Sequence, residues 1–220
     1  FSRVFCDPVP HPTNVKNVGK LPEICVISNV EEDGQPIGAL GNSEVSFHSD
    51  LAFCVEAGTV SVLYAVEAPS DSGQTFWASG IASYDALDAQ SRERLESVSI
   101  VYGHAKASYR SDTPVSHPAV ITHPESGRKS LYFSSNHAAR VVDENDEESE
   151  SLIARLRSYT TEDRFVWMHG WQPGDLVIWD NRTTQHRRTT VEETKRRLMR
   201  RTQAVGFPEG DPAIFPKEEA

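Results

Sequence analysis

Within SFHSDLAF, residues 46–53, a histidine and an aspartate stand two apart in a run that alternates like a strand. Residues i and i+2 of a strand point to one face, so His48 and Asp50 present an imidazole and a carboxylate side by side. That donor pair is borderline to hard and suits Fe(II), Mn(II) or Zn(II). A second histidine would complete a set of two imidazoles and one carboxylate that leaves the remaining metal positions open to oxygen and substrate. Alternating polar residues are also common on exposed strands, so the pair means little without a third ligand elsewhere.

Seven further histidines compete for that role. His117 and His123 each precede a proline, in SHPAV and THPES, and are expected in turn-biased backbone. His11 lies in a proline-rich segment, while His104 and His137 have no companion polar cluster. His169, in WMHGWQPGD, reads as a hydrogen-bonded core or edge histidine. His186 differs, because it follows the apolar run DLVIWDN and precedes RRTTVEETKRRLMRRTQAVG, rich in arginine. A guanidinium grips a carboxylate through two parallel hydrogen bonds, so a cationic strand beyond a ligating histidine is what an anionic co-substrate would need. If RRLMRRTQAVG is a strand, Arg197 and Arg201 share a face with Met199, and Leu198 and Arg200 take the other. Taken alone, the segment reads rather as a solvated basic edge strand that balances an acidic protein.

The elements that must position these residues are short. Apolar or alternating runs at 24–29, 59–68, 74–78, 97–103, 129–133, 164–171 and 175–180 are separated by turn residues, which argues for an antiparallel sandwich or barrel. Helical spacing appears at 83–98, with Asp88 placed to cap its second half, and at 148–160, where Leu152, Ile153 and Leu156 follow acidic residues. The acidic run 143–150 reads as a solvated lead into that helix, and SGRKS, 126–130, as a hairpin turn rather than a phosphate loop. There is no internal repeat and no alternation of strand and helix of the kind that builds a doubly wound sheet.

The chain has 220 residues, 38% hydrophobic and 25% charged, and one domain spanning 1–220 is expected. A net charge of −10 argues against nucleic acid or an anionic membrane as the main partner and leaves small molecules. Cys6, Cys25 and Cys54 are odd in number and far apart, which fits no disulfide framework or zinc knuckle and points to a reducing, cytoplasmic setting. No apolar run approaches the ~20 residues of a membrane helix.

HSD at 48–50, GQTFWAS at 73–79, WQPGDLVIWDNRTTQH at 171–186 and RRLMRR at 196–201 together resemble the TauD/TfdA-like Fe(II)/2-oxoglutarate dioxygenases, the taurine and 2,4-dichlorophenoxyacetate dioxygenase group. The similarity extends through ASYDALD (82–88) and HPAVITHPESGRKSLYF (117–133). It implies a mainly β fold with flanking helices, a double-stranded β-helix or cupin-like jelly roll. It also implies that this chain begins some tens of residues into the usual length of such proteins.

Roles follow from the resemblance. His48, Asp50 and His186 become the ligands of Fe(II), and Thr75 and Arg197, eleven residues beyond His186, take the distal carboxylate of 2-oxoglutarate. Arg201 becomes a further active-site arginine near the co-substrate or an anionic substrate, and Glu44, four before His48, a candidate substrate contact. The implied reaction consumes 2-oxoglutarate and O2, yields succinate and CO2, and hydroxylates a small organic acid or amino-acid-like substrate, with fragment release, desaturation or epimerisation open as outcomes. Asp50 speaks against a halogenase, since related halogenases carry a small residue there. Relatives form dimers or tetramers, which makes a homo-oligomer an expectation by analogy. A non-catalytic jelly-roll binding protein would need the histidines but not Thr75 and Arg197 at these spacings.

Overall fold

The protein is described by a computed structural model covering residues 1–4, 6–11, 17–18, 21–104 and 114–205. Two antiparallel sheets dominate it. The larger runs in the order Asn17–Val18, Leu21–Ser28, Leu198–Val205, Gly58–Glu67, Leu176–Asp180, with Ala39–Leu40 lying parallel to Leu21–Ser28. The smaller runs Val166–His169, Thr75–Ser79, Thr184–Arg188, Val45–His48. An apolar cluster joins Ile27, Leu63, Ala65, Trp179 and Met199 of the larger sheet to Trp77 of the smaller and to Trp171, in the loop between Val166–His169 and Leu176–Asp180. Mostly β with few helices, the chain has the jelly-roll core expected of it.

Alternation explains why the interior is selective. Along Leu198–Val205, Met199, Arg201 and Gln203 are buried while Leu198 and Arg200 are not, so the arginines read as sharing a face do share one, and it faces inward. That strand is central rather than an edge, since it pairs with Leu21–Ser28 on one side and Gly58–Glu67 on the other.

The helices flank this core over a second cluster that includes Leu95, Leu152, Ile153 and Leu156. The expected helix 83–98 is two helices, Gly80–Asp85 and Ala89–Glu96. Asp88 accepts from Ser91 N at 2.8 Å, and its carboxylate competes with the helical backbone, so the first helix stops and the second starts. Helix Asp146–Tyr159 is capped by Asn145, accepting from Glu148 N at 2.9 Å, with three acidic residues in its positive-ended first turn. The 126–130 turn joins the hairpin of Val120–Thr122 and Lys129–Leu131 as expected.

His117 is a correction. It lies in strand Val115–Pro118, buried, with Nε2 at 3.0 Å from Ala52 O and 3.1 Å from Cys54 O. Pro118 does not forbid the strand because Val115–Pro118 is the edge of a three-stranded sheet with Ser99–Tyr102 and Ala138–Val141, where a missing N–H costs no ladder bond. Cys6, Cys25 and Cys54 are free thiols. Among the described residues no helix is long and apolar enough to cross a membrane.

Candidate metal centre and its anion pocket

Strand register assembles the centre. His186 sits directly opposite His48 in the smaller sheet, and on its other side opposite Trp77. Asp50 follows two residues later, where the chain turns sharply through Leu51, whose φ is +56°. Gly58 permits the turn: its N–H donates to Asp50 O at 3.1 Å, and a Cβ there would lie 2.6 Å from the same oxygen. One donor atom from each of His48, Asp50 and His186 lies within 4.8 Å of the others.

The carboxylate is fixed on both oxygens. Arg201 Nη1 donates to Oδ1 at 2.9 Å and Ser61 Oγ to Oδ2 at 2.7 Å. Asn181 braces the group from behind, donating Nδ2 to Ser61 Oγ at 2.9 Å and accepting from Asp50 N at 3.2 Å and Trp179 Nε1 at 3.0 Å. Burial works to raise the Asp50 carboxyl, but the Arg201 guanidinium, with the two imidazoles, holds it well below the ordinary carboxylate range.

Both imidazoles are suited to a metal. His48 Nδ1 is 2.8 Å from Ser46 O, which puts its proton there and leaves the Nε2 lone pair free on the side where Nε2 stands 3.7 Å from Asp50 Oδ1. His186 Nε2 is 4.0 Å from the same oxygen. Burial first, then His48, drive the His186 pKa well below its usual value, so the ring is the neutral form that ligates. One buried carboxylate and two imidazoles therefore fit a divalent transition metal, and the chemistry of the donor set favours Fe(II), Mn(II) or Zn(II) over Ca(II) or Mg(II).

Beside the ligands is a cavity lined by Ile27, Leu63, Trp179, Thr75, Arg197 and Arg201 among others. Arg197 is 2% exposed, and its Nε and Nη1 are buried without a hydrogen-bond partner. Gly73, at φ +70°, lets it pass: a Cβ there would stand 3.0 Å from Arg197 Cδ. Thr75 Oγ1 accepts from Trp171 Nε1 at 2.8 Å, which leaves its own hydroxyl proton to donate.

Of the candidates read from sequence, His48, Asp50, His186, Thr75, Arg197 and Arg201 converge here; Glu44 does not. It is exposed, in a surface groove with Phe47, Arg157 and Arg187. Simple alternation puts residue 44 on the face of His48, but the pairing shifts register between His186 and Arg188, opposite this strand, and Val45 lines the inner cavity instead.

Several neighbours were not legible. Ser61 is an ordinary residue type at no telling spacing, and Asn181, though inside the 171–186 segment, was given no role there. His137 sits against His48 at 5.9 Å between ring centroids and accepts or donates at 2.9 Å with Ser134, although nothing near it in sequence marks it out. Burial, then His48, lowers its pKa to about 3. Arg188 did carry a signal, for it stands two residues beyond His186 and so shares its face. It lines the same cavity.

Known proteins bear on what this arrangement is. The description "Taurine catabolism dioxygenase TauD, TfdA family" matches residues 1–203. Pentalenolactone F synthase of Streptomyces arenae is 30% identical over 207 residues, covering 83% of this chain and 69% of its own. The alpha-ketoglutarate-dependent 2,4-dichlorophenoxyacetate dioxygenase of Cupriavidus pinatubonensis is 33% identical over 202 residues, covering 83% of this chain and 69% of its own. Among solved structures, AAD-2 in complex with Mn(II) and N-oxalylglycine superposes with a TM-score of 0.72 at 30% identity, over 84% of this chain and 74% of that one. A match over nearly the whole described chain, on a fold and a donor set that agree with it, places the protein in the TauD, TfdA family as a 2-oxoglutarate-dependent dioxygenase.

Proposed function

We propose that His48, Asp50 and His186 hold one Fe(II), that Arg197 and Thr75 take the distal carboxylate of 2-oxoglutarate, and that the enzyme hydroxylates a small organic acid. The observation that carries this reading is the juxtaposition of a three-ligand cluster with a buried arginine whose Nε and Nη1 have no partner. Bound together, Fe(II), 2-oxoglutarate and O2 supply the oxidising chemistry, decarboxylation to succinate and CO2 coupled to hydroxylation of a C–H bond.

The chain's own residues supply position and exclusion. Arg201 and Ser61 keep Asp50 ionised and in one orientation. Ser46 O sets the His48 tautomer. Trp171, by occupying one lone pair of Thr75, aims the threonine hydroxyl proton away from itself, free for an incoming carboxylate oxygen. Arg197 adds a planar fork at the same end, and the apolar walls Ile27, Leu63 and Trp179 exclude water from the charged groups. The acid class of the substrate is supported by the aryloxyacetate named for the Cupriavidus relative and by Arg201 on the cavity wall.

Anaerobic titration tests the reading. Fe(II) followed by 2-oxoglutarate should give the visible charge-transfer band of the chelate, absent in His186→Ala. An iron-loaded parent with no band would remove the assignment; a band would justify screening acids by succinate release.

A further inference from the structure

Arg188 is the charge for which neither the ligand set nor the Arg197–Thr75 pair has a use. It is buried at 6% exposure and directly opposite Thr75 across the paired strands, so the two side chains stand on the same inward face. Its Nη2 donates to Leu40 O at 3.2 Å and Gly41 O at 3.1 Å, and also to Ser43 O. Its Nε and Nη1 are buried with no partner, the same two atoms that are orphaned on Arg197. Arg201 has Asp50 as its counter-ion. Among the described residues no ion pair reaches Arg188 or Arg197.

Buried donors are satisfied in native proteins, by the chain or by a ligand. Here Thr75, Arg188 and Arg197 line one cavity, and the two arginines carry four orphaned guanidinium nitrogens between them. A carboxylate accepts about four hydrogen bonds on two oxygens, so one such group can serve both arginines where a single arginine would leave it half used.

We propose that Arg188 is a second cationic clamp on the distal carboxylate of 2-oxoglutarate, acting with Arg197 and Thr75 and tying that subsite to the backbone of residues 40–43. The inference rests on the reading that 2-oxoglutarate occupies this cavity. The tie has a second strand: Asn42 O accepts from Val191 N at 2.9 Å, and Asn29 bridges Asn42 Oδ1, at 2.6 Å, to the backbone N of Arg197, at 2.8 Å. Both arginines are thereby coupled to the segment that leads into the His48 strand. A carboxylate held between them steadies that segment.

The experiment compares two ligands on anaerobic, iron-loaded protein: 2-oxoglutarate, and 2-oxovalerate, which keeps the chelating end and carries a methyl where the distal carboxylate was. Arg188→Met should weaken 2-oxoglutarate by about tenfold or more, the worth of a lost charge-assisted pair, and leave 2-oxovalerate within about twofold. Arg188→Lys, which keeps the charge and a donor to the 40–43 carbonyls, should lose less for 2-oxoglutarate and nothing for 2-oxovalerate. Hydrogen exchange at 40–44 should slow when 2-oxoglutarate binds the parent and not when it binds Arg188→Met. Unchanged 2-oxoglutarate affinity in both variants, or equal losses for both ligands, overturns the proposal, since the second pattern is that of a distorted cavity. A parent that binds neither ligand overturns the 2-oxoglutarate reading itself, and this one with it.

Discussion

Asp50 is held by four groups: Arg201 and Ser61 on its oxygens, Asn181 on its backbone N, and Gly58 on its backbone O. Burial alone would favour its neutral form, and Arg201 is the leading influence against that. Because the folded pKa is depressed, the stabilisation it gives is present above the unfolded value near 3.9 and is lost as pH falls through the lower folded value. Arg201→Met removes the counter-ion and strands a buried charge, at a cost of about 3–5 kcal/mol in the metal-free protein at pH 7. Mn(II) should restore part of the loss by supplying positive charge to the same carboxylate. Urea unfolding of parent and variant, with and without Mn(II), checks this; equal midpoints without metal would refute it. At this scale the sequence was informative where residue type was distinctive. Histidines, an aspartate and arginines at set spacings announced themselves. Ser61, Asn181 and the orphaned donors of Arg188 did not, because their meaning lies in partners far along the chain, 120 residues apart for Ser61 and Asn181.

Elements were legible in proportion to their periodicity. Which residues of Leu198–Val205 share a face followed from period-2 alternation, though not that the face turns inward on a central strand, and the helix Asp146–Tyr159 followed from the spacing of Leu152, Ile153 and Leu156 behind acidic residues. His117 was misread because a proline rule about local backbone met an edge strand that tolerates proline. Its Nε2 now anchors the backbone at Ala52 and Cys54, just beyond Asp50. Burial, partly offset by those two carbonyls, lowers its pKa to about 4. With the folded value below an unfolded value near 6.5, the unfolded chain binds the proton more readily, so stability is full above that pH and declines as pH falls towards 4. The contribution is on the order of 3 kcal/mol between pH 7 and pH 4. His137 and His186 act in the same direction, so the difference between parent and His117→Gln isolates the one group. Denaturant unfolding across that range should show a flatter pH dependence in the variant; parallel curves would contradict the assignment.

The whole molecule carries a net charge of −10 while concentrating Arg188, Arg197 and Arg201 around one interior cavity. Such a cavity is costly until an anion enters, so ligand and fold should be strongly linked. At 100 times its dissociation constant, 2-oxoglutarate should add about 2.7 kcal/mol, a rise in Tm of roughly 5–10 °C for a domain of this size. Anaerobic thermal melts of Mn(II)-loaded protein would show it, and Arg197→Met melts at the same ligand concentration should show little. A parent whose Tm ignores 2-oxoglutarate would contradict the linkage. The fold class was visible from many short strands. Which of them became neighbours was not, because sheet order depends on contacts that period-2 patterns cannot specify.

Strand Leu198–Val205 lies between Leu21–Ser28 and Gly58–Glu67, although it is made last of the three. During synthesis, His48 and Asp50 therefore leave the ribosome with neither the third ligand nor the middle of their own supporting sheet. Nascent chains halted before residue 186 hold two ligands, and chains halted before 198 hold all three but no strand to bring Arg201 against Asp50. The centre with Arg201 braced against Asp50 thus forms only when the last strand enters the middle of the sheet, after all three ligands have already been made.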